Sequence, residues 1–131
     1  MLLGGYPRRD GQVGVRNHVL FLSTVVCANG VVHRIGCEFP EVIALEHTKG
    51  CIELADDREI TRSMLFGLAR NPNVGAVVFV GLGCEDTTAK FMKRELEREK
   101  PVAEVTIQDE GGTTGSLTKC RRLAKELLEE S

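Results

Sequence analysis

The sequence lacks any apolar run that approaches the roughly 20 residues of a transmembrane helix, so we expect no membrane anchor. It also lacks an excess of basic residues: 17 Lys and Arg stand against 19 Asp and Glu, for a formal net charge of -2. Nucleic-acid partners are therefore not expected, because they need clustered positive charge. The start, MLLGGYPRRDG, lacks the basic and apolar regions of a secretory signal. Together these absences predict a cytoplasmic protein.

The cysteines include no CxxC pair, which excludes the zinc-ribbon and thioredoxin-type motifs. The five cysteines are Cys27, Cys37, Cys51, Cys84 and Cys120. Their odd number in a chain expected to be cytoplasmic argues against a disulfide framework. Free cysteine is often buried, so the simplest interpretation of each thiol is a small apolar core residue.

Four short apolar runs follow a glycine- and arginine-rich N-terminal arm, residues 1–17, which has no sustained periodicity and is predicted to be irregular. The runs cover residues 18–26, 41–46, 75–80 and 102–107. The first and third are almost continuously apolar or β-branched, as is typical of parallel strands covered on both faces. The fourth alternates more, which indicates an edge strand.

Helical patterns follow each apolar run. They comprise a short pattern at about residues 29–37, the stripe Ile60, Met64, Leu65 and Leu68, the stripe Ala89, Met92 and Leu96, and the stripe Leu117, Cys120, Leu123, Ala124, Leu127 and Leu128. Strands that alternate with helices pair in parallel through right-handed crossovers. The length of 131 residues suits one core. We therefore predict a single α/β domain over residues 18–131, a Rossmann-like three-layer sandwich with a four-stranded parallel sheet in the order 2-1-3-4.

Reactive side chains follow three of the predicted strands, at the carboxyl edge where such sheets bind ligands. They are Cys27 after the first strand, His47 and Cys51 after the second, and Cys84 and Glu85 after the third. Thiolates and imidazole suit zinc, iron or an iron–sulfur cluster, although core packing stays open for each thiol. His47 fits a metal ligand, a general base or a structural histidine. Glu85 also suits a helix start through the helix dipole. Cys37 and Cys120 fall on helices and are expected to pack.

Two glycine-rich turns, GLG at residues 81–83 and EGGTTG at 110–115, have the character of a phosphate cradle built from backbone amides. They match neither GxGxxG nor GxxxxGK[ST], and acidic neighbours disfavour a bound polyanion. The arm carries Arg8, Arg9 and Arg16, which fit a clamp for the carboxylate of a sugar acid. Composition alone favours a solvated tail instead.

Six segments of the chain resemble one enzyme family, in family order and over nearly the whole length. They are GYPRRDGQVGVRN at residues 5–17, TVVCAN at 24–29, HTKGC at 47–51, NPNV at 71–74, GLGCE at 81–85 and QDEGGTT at 108–114. Together they resemble the second, or middle, domain of the altronate/galactarate dehydratase family. The large subunit of sulfolactate sulfo-lyase is similar and belongs to the same family.

The resemblance implies a carbon–oxygen lyase that removes water by β-elimination from altronate, galactarate or a similar hydroxy acid. It also implies a divalent metal, mononuclear Fe2+ in preference to an iron–sulfur cluster. Such chemistry needs a base for the proton α to the carboxylate and a metal that stabilises the enolate-like state. By resemblance, the catalytic residues would be His47 and Glu85, the substrate-binding residues Arg8, Arg16, Gly111, Gly112 and Thr113, and the metal ligands Cys27, Cys51 and Cys84.

Members of the family are several times longer than this chain, so the resemblance also implies a missing C-terminal catalytic domain or subunit. We therefore expect the isolated chain to be inactive, whether it is a natural split subunit or an excised domain. A non-catalytic module that docks a partner chain, and a component of a sulfolactate sulfo-lyase, are the alternatives. A nucleotide-binding module ranks last. The sequence leaves the oligomeric state open, a homo-oligomer included.

Overall fold

The chain folds as one sheet with helices on both faces. The structure, a computed structural model, describes residues 4–9, 11–46, 55–83 and 88–130. Its elements are β1 (Tyr6–Pro7), β2 (Val13–Gly14), β3 (His18–Ser23), a short 3-10 helix (Val26–Ala28), α1 (Asn29–Glu38), β4 (Val42–Leu45), α2 (Ala55–Ala69), β5 (Val74–Gly81), α3 (Ala89–Leu96), β6 (Val102–Thr106) and α4 (Thr113–Glu130). None of these helices, as far as the described residues extend, is long and apolar enough to cross a bilayer.

The main sheet contains four parallel strands in the order β4-β3-β5-β6. These are the strands predicted from the four apolar runs, and the α/β sandwich class is confirmed. The labels differ from the predicted 2-1-3-4 because the short strands β1 and β2, which the sequence analysis did not predict, precede the sheet. Among the four main strands the relative order is second, first, third, fourth. The chain adds β4 on one side of β3 and then β5 and β6 on the other side. The switch point of the sheet therefore lies between β3 and β5.

Two apolar cores, one on each face of the sheet, hold the helices in place. On one face Phe21 and Val78 pack against α1 and α4, where Ile35 and Ala124 are fully buried. On the other face Leu20 and Phe79 pack against α2 and α3. Because alternate side chains of a strand point to opposite faces, β3 and β5 supply both cores, which explains their nearly continuous apolar sequence. The stripe predicted for α3 is buried as expected, and that of α4 packs against the first core.

Helix α2 packs through a different row of residues from the predicted one. Only Leu65 of the predicted stripe is fully buried, whereas Ile60 is 68% exposed and Met64 and Leu68 are each 40% exposed. Leu65 is flanked in the buried row by Thr61 and Ala69, at a spacing of four residues. The row that starts at Ile60 lies one position, about 100°, further round the helix. The prediction that the whole stripe faces the core was wrong, and an apolar row is left on the outside.

The N-terminal arm, described over residues 4–9 and 11–17, is not the irregular segment that its composition predicts. Strands β1 and β2 pair in antiparallel fashion, and the Arg8 amide donates to the Gln12 carbonyl at 2.8 Å across the turn. The arm then packs on the turn between α2 and β5, where the Asn73 side-chain oxygen accepts from the Val15 amide at 2.9 Å. This turn lies at the amino edge of the sheet, where the parallel strands begin. The ordering comes from long-range contacts, which local composition does not reveal.

An ion-pair cluster joins the end of α1 to the middle of α4 on the outside of the first core. Glu38 accepts from Arg121 Nε at 2.7 Å and from Arg34 Nε at 3.3 Å. The hydrogen bond from Arg121 is the main reason that the pKa of Glu38 falls to about 2. The carboxylate is therefore ionised throughout the neutral range, and it links two helices that share one core.

Candidate active site

The carboxyl edge of the main sheet carries Cys27 and the turn with Gly111 and Gly112, which are among the predicted site residues. We call this edge the rim and define it by residues 23–29 after β3, 82–83 after β5 and 108–113 after β6. The strand order changes side between β3 and β5, and at such a point open α/β sheets have a crevice between the loops of the adjacent strands. In open α/β sheets a ligand binds at such a switch point. The rim is therefore the natural place for a site.

Two buried hydroxyl side chains end β3 at the rim. Ser23 and Thr24 are each 0% exposed. The Ser23 hydroxyl donates to Asn29 Oδ1 at 2.6 Å, and this bond ties the strand end to the first residue of α1. The Thr24 amide donates to the Val80 carbonyl on β5 at 2.9 Å. These bonds hold the 3-10 turn that presents Cys27, whose thiol is exposed at the rim.

The exit from β5 is shaped by contact with the segment that follows β6. Gly83 has φ +127, and a side chain there would overlap the Gln108 amide oxygen. Glycine is therefore required for the backbone to approach this closely. The backbone N–H of Gln108 also donates to the Leu82 carbonyl at 3.1 Å. The two loops are thus joined where they border the crevice.

The turn after β6 places Gly111 and Gly112 at the rim, both with positive φ, before α4 begins at Thr113. The Gly112 amide donates to the Ile107 carbonyl at 3.0 Å, and its carbonyl accepts from the Ser116 hydroxyl at 2.7 Å. An amide that closes a turn is not directed at a ligand. This observation weighs against the phosphate cradle and favours a turn that shapes the rim.

The acidic residues of the same turn are paired with lysines from neighbouring helices. Asp109 accepts from Lys90, and this hydrogen bond raises the pKa of Lys90. Glu110 accepts from Lys119 Nζ at 3.0 Å. Each of these two carboxylates is therefore balanced by a lysine at the surface of the turn.

The predicted metal ligands are only partly within the described residues. Cys27 lies at the rim as expected, whereas Cys51 and Cys84 lie outside the described residues, as do the predicted catalytic residues His47 and Glu85. Within the part of the chain that the structure describes, no group of three or more His, Cys, Asp or Glu side chains is arranged to hold a metal. The metal assignment therefore stays a prediction, with Cys27 as its one described ligand.

The other two described thiols differ from each other. Cys120 is fully buried in the first core, as predicted, and burial raises the pKa of its thiol to about 12. Cys37 is exposed, so the prediction that it serves in packing was wrong. It lies on the outer side of α1, where the helix no longer faces the sheet.

The predicted substrate-binding arginines lie at the amino edge, opposite the rim. Arg8 Nε donates to the Pro72 carbonyl at 2.7 Å, and its two terminal nitrogens donate to Asn17 Oδ1 and to the Arg16 carbonyl, each at 3.0 Å. The Arg16 amide donates to Asn73 Oδ1 at 3.2 Å. A pocket of about 210 Å³ beside them is lined by Arg8, Asn17, His18, Val19, Gly75, Ala76, Pro101, Leu127 and Glu130. The structure does not bring these arginines together with Cys27.

Sequence reasoning missed the residues that support the rim from below. Ser23, Asn29 and Gln108 were not selected as site residues, yet they make or border the contacts that shape the crevice. A usable signal was present for the first two. A hydroxyl residue that ends an otherwise apolar strand, followed six residues later by an amide residue at a helix start, indicates a strand-to-helix bond. No local signal marks Gln108, because its partner Gly83 is distant in sequence.

The fold and rim define a doubly wound α/β domain whose switch point lies between β3 and β5. Comparison with known families shows which one this is: the profile described as "D-galactarate dehydratase/Altronate hydrolase, second domain" matches residues 5–131. The chain belongs to this family.

Curated relatives place the domain within longer proteins. An altronate dehydratase of Escherichia coli (strain K12) is 40% identical over 70% of this chain and 20% of its own length. An altronate dehydratase of Bacillus subtilis (strain 168) is 36% identical over 71% of this chain and 21% of its own length. The beta subunit of (2R)-sulfolactate sulfo-lyase from Chromohalobacter salexigens is 29% identical over 95% of this chain and 32% of its own length. The chain thus spans about a fifth to a third of the relatives that it matches. No solved structure matches it.

Proposed function

We propose that this domain forms one wall of the active site of a metal-dependent dehydratase that acts on a sugar acid of the altronate or galactarate type. The observation that carries the proposal is the coincidence of two findings. The family match covers residues 5–131, and the exposed Cys27 lies at the switch point of the sheet. The rest of the active site would come from a further domain or subunit, since the altronate dehydratases are about five times longer than the matched part.

The described residues of the rim would position and screen the substrate. The pairing of Asp109 and Glu110 with lysines leaves the turn after β6 suited to an anionic ligand. The buried bond between Ser23 and Asn29 keeps the Cys27 turn in one arrangement. His47 and Glu85, which follow β4 and β5 in the sequence, remain the residues proposed to move the proton α to the carboxylate.

The proposed metal is Fe2+, held by the thiolates of Cys27, Cys51 and Cys84. A bound iron would supply Lewis-acid stabilisation of the α-hydroxy-carboxylate. The exposure of Cys27 fits a thiolate ligand at the rim, but the described residues do not complete a donor set.

Replacing Cys27 by alanine is expected to lower iron binding and dehydration by at least about 10- to 100-fold, because loss of a ligand is expected to cost no less than loss of the outer partner of a ligand, which typically costs that much. Iron is measured on the chain by itself after anaerobic purification. Dehydration of altronate and galactarate is measured on the enzyme assembled with its remaining domain or subunit. The matched control is Cys37→Ala, which removes an exposed thiol outside the rim.

Two results would contradict this proposal. One is unchanged iron content and activity in the double variant Cys27→Ala, Cys84→Ala. The other is an equal loss in the Cys37→Ala control, since that would point to a general effect on the chain. Sulfolactate is assayed in parallel, because release of sulfite without dehydration of sugar acids would make the chain a component of a sulfolactate sulfo-lyase.

A second candidate function, a docking module for the chain that carries the chemistry, is favoured by the outer row of α2. Ile60, Met64 and Leu68 are exposed at intervals of four residues and form an apolar row along α2. Amphipathic helix faces of this kind are common partner surfaces. The occupant that we propose is the remaining domain of the enzyme, because the relatives are much longer than the matched part. This function is compatible with the first.

Replacing Met64 by lysine is expected to weaken binding of that remaining domain by about 10-fold or more, because a central apolar contact would be replaced by a charge. Pull-down after co-production, followed by titration calorimetry, measures the effect. Lys125→Glu, a charge change on the exposed side of α4, is the control. Equal binding by both variants would exclude α2 as the docking face. Light scattering on the chain alone tests whether the α2 face instead joins two copies of this chain, since the molar mass would then be that of a dimer.

A further inference from the structure

Three exposed side chains on the outer side of α1 form a continuous polar chain. Cys37 Sγ lies 3.7 Å from His33 Nε2, and His33 Nδ1 lies 3.4 Å from Glu46 Oε1. His33 and Cys37 are four residues apart on α1, so they share one side of the helix. Glu46 directly follows β4, the strand next to which α1 packs. None of these contacts is used by the proposed dehydratase site.

Glu46 Oε1 lies on the Nδ1 side of the His33 ring, and the Cys37 sulfur lies on the Nε2 side. In the tautomer that carries its proton on Nδ1, this proton faces the carboxylate and the Nε2 lone pair faces the thiol. This is the arrangement of a nucleophile, its base and a group that orients the base.

A metal site fits these residues less well than a nucleophile does. Cys37 and Glu46 contact opposite nitrogens of the His33 ring, so the three groups do not converge on one point. The described residues also contain no arrangement of three such side chains that could hold a metal. The exposure of Cys37 leaves its sulfur accessible to a dissolved reagent.

We propose that Cys37 is a site of thiol–disulfide exchange with low-molecular-weight disulfides of the glutathione type. The Cys37 thiol passes its proton to His33 Nε2, and the thiolate sulfur attacks one sulfur of the disulfide. The new S–S bond forms as the old one breaks, and the leaving thiolate takes the proton from His33. The products are a mixed disulfide at Cys37 and one free thiol. The protein thiol is oxidised, and the second half of the disulfide is reduced.

The inference goes beyond the proposed function and is tested separately from it. The full chain is incubated with oxidised glutathione in the presence of a chelator, and modification of each cysteine is followed by peptide mass spectrometry. We expect His33→Gln to slow modification of Cys37 by about 10-fold, at the low end of the contribution of a general base. Glu46→Gln is expected to slow it by a few-fold. Modification of Cys27 is expected to stay unchanged in both variants.

Arg34→Gln is the matched control, since Arg34 lies beside His33 on α1 and pairs with Glu38 instead of the thiol. Cys120 is expected to remain unmodified, because it is buried and its pKa is raised to about 12. An unchanged Cys37 rate in His33→Gln would overturn the proposal. Equal slowing at Cys37 and Cys27 would overturn it too, since that would indicate a change in the whole fold. Circular dichroism verifies folding, and His33→Asn replaces any variant that fails to fold. Neither iron content nor dehydration enters the result.

Discussion

Replacing Gly14 by alanine is expected to lower the free energy of unfolding by about 3 kcal/mol, at the upper end of the usual cost of overpacking. Gly14 is buried in β2, and an added methyl group would overlap the carbonyl group of Pro72. That carbonyl cannot move away easily, because it also accepts from Arg8 Nε at 2.7 Å. Urea denaturation followed by circular dichroism measures the loss.

Gly30→Ala is the control for the Gly14 substitution. Gly30 lies in α1, and an added methyl group there would meet nothing within 4 Å. Alanine has the higher helix propensity, so this variant is expected to be more stable by about 0.5 to 1 kcal/mol. If Gly14→Ala unfolds at the wild-type urea concentration, then the arm does not pack on the turn before β5 as the structure has it.

The N-terminal arm and the turn before β5 are held together by direct hydrogen bonds. The segment at residues 5–17 and the segment NPNV at 71–74 both resemble the family, and the structure places them in contact at the amino edge. Lys100, which is 5% exposed, adds two bonds from Nζ to the Asn71 and Val74 carbonyls. The contacts at the amino edge therefore have a structural role: they hold the arm and Lys100 on the turn before β5. The rim segments of the same family lie at the other edge, where they border the crevice.

The sequence predicts the sheet well because the residue types of its two central strands indicate how these strands are buried. The continuous apolar residues of β3 and β5 are compatible with burial on both faces and with little else. Parallel strands also end at a common edge, so the position of Cys27 at the rim follows from its place after β3. The arm was not predictable in this way. Its glycines and arginines fit a flexible tail equally well, and its order depends on Pro72 and Asn73, more than 50 residues away.

The sequence did not predict the outward position of Cys37 or the exposure of the Ile60 row of α2, and the reason is the same for both. Helical spacing identifies which residues share a side of a helix, but adjacent rows differ by one position only. In α2 the apolar residues occupy two adjacent rows, and the sequence pattern alone does not say which row meets the sheet. The structure selects the row of Thr61, Leu65 and Ala69.

Because the row of Leu65 faces the core and the row of Met64 does not, we expect two neighbouring substitutions in α2 to differ strongly in their effect on stability. Leu65→Ala is expected to lower the free energy of unfolding by about 3 kcal/mol, since a fully buried leucine is truncated next to the second core. Met64→Ala is expected to change it by no more than about 0.5 kcal/mol, because Met64 is 40% exposed. Both alanines suit a helix, so backbone propensity does not separate the two variants. Urea denaturation of the two variants under identical conditions measures the difference. Equal losses would mean that both rows face the core, and α2 would then have no apolar face available for a partner.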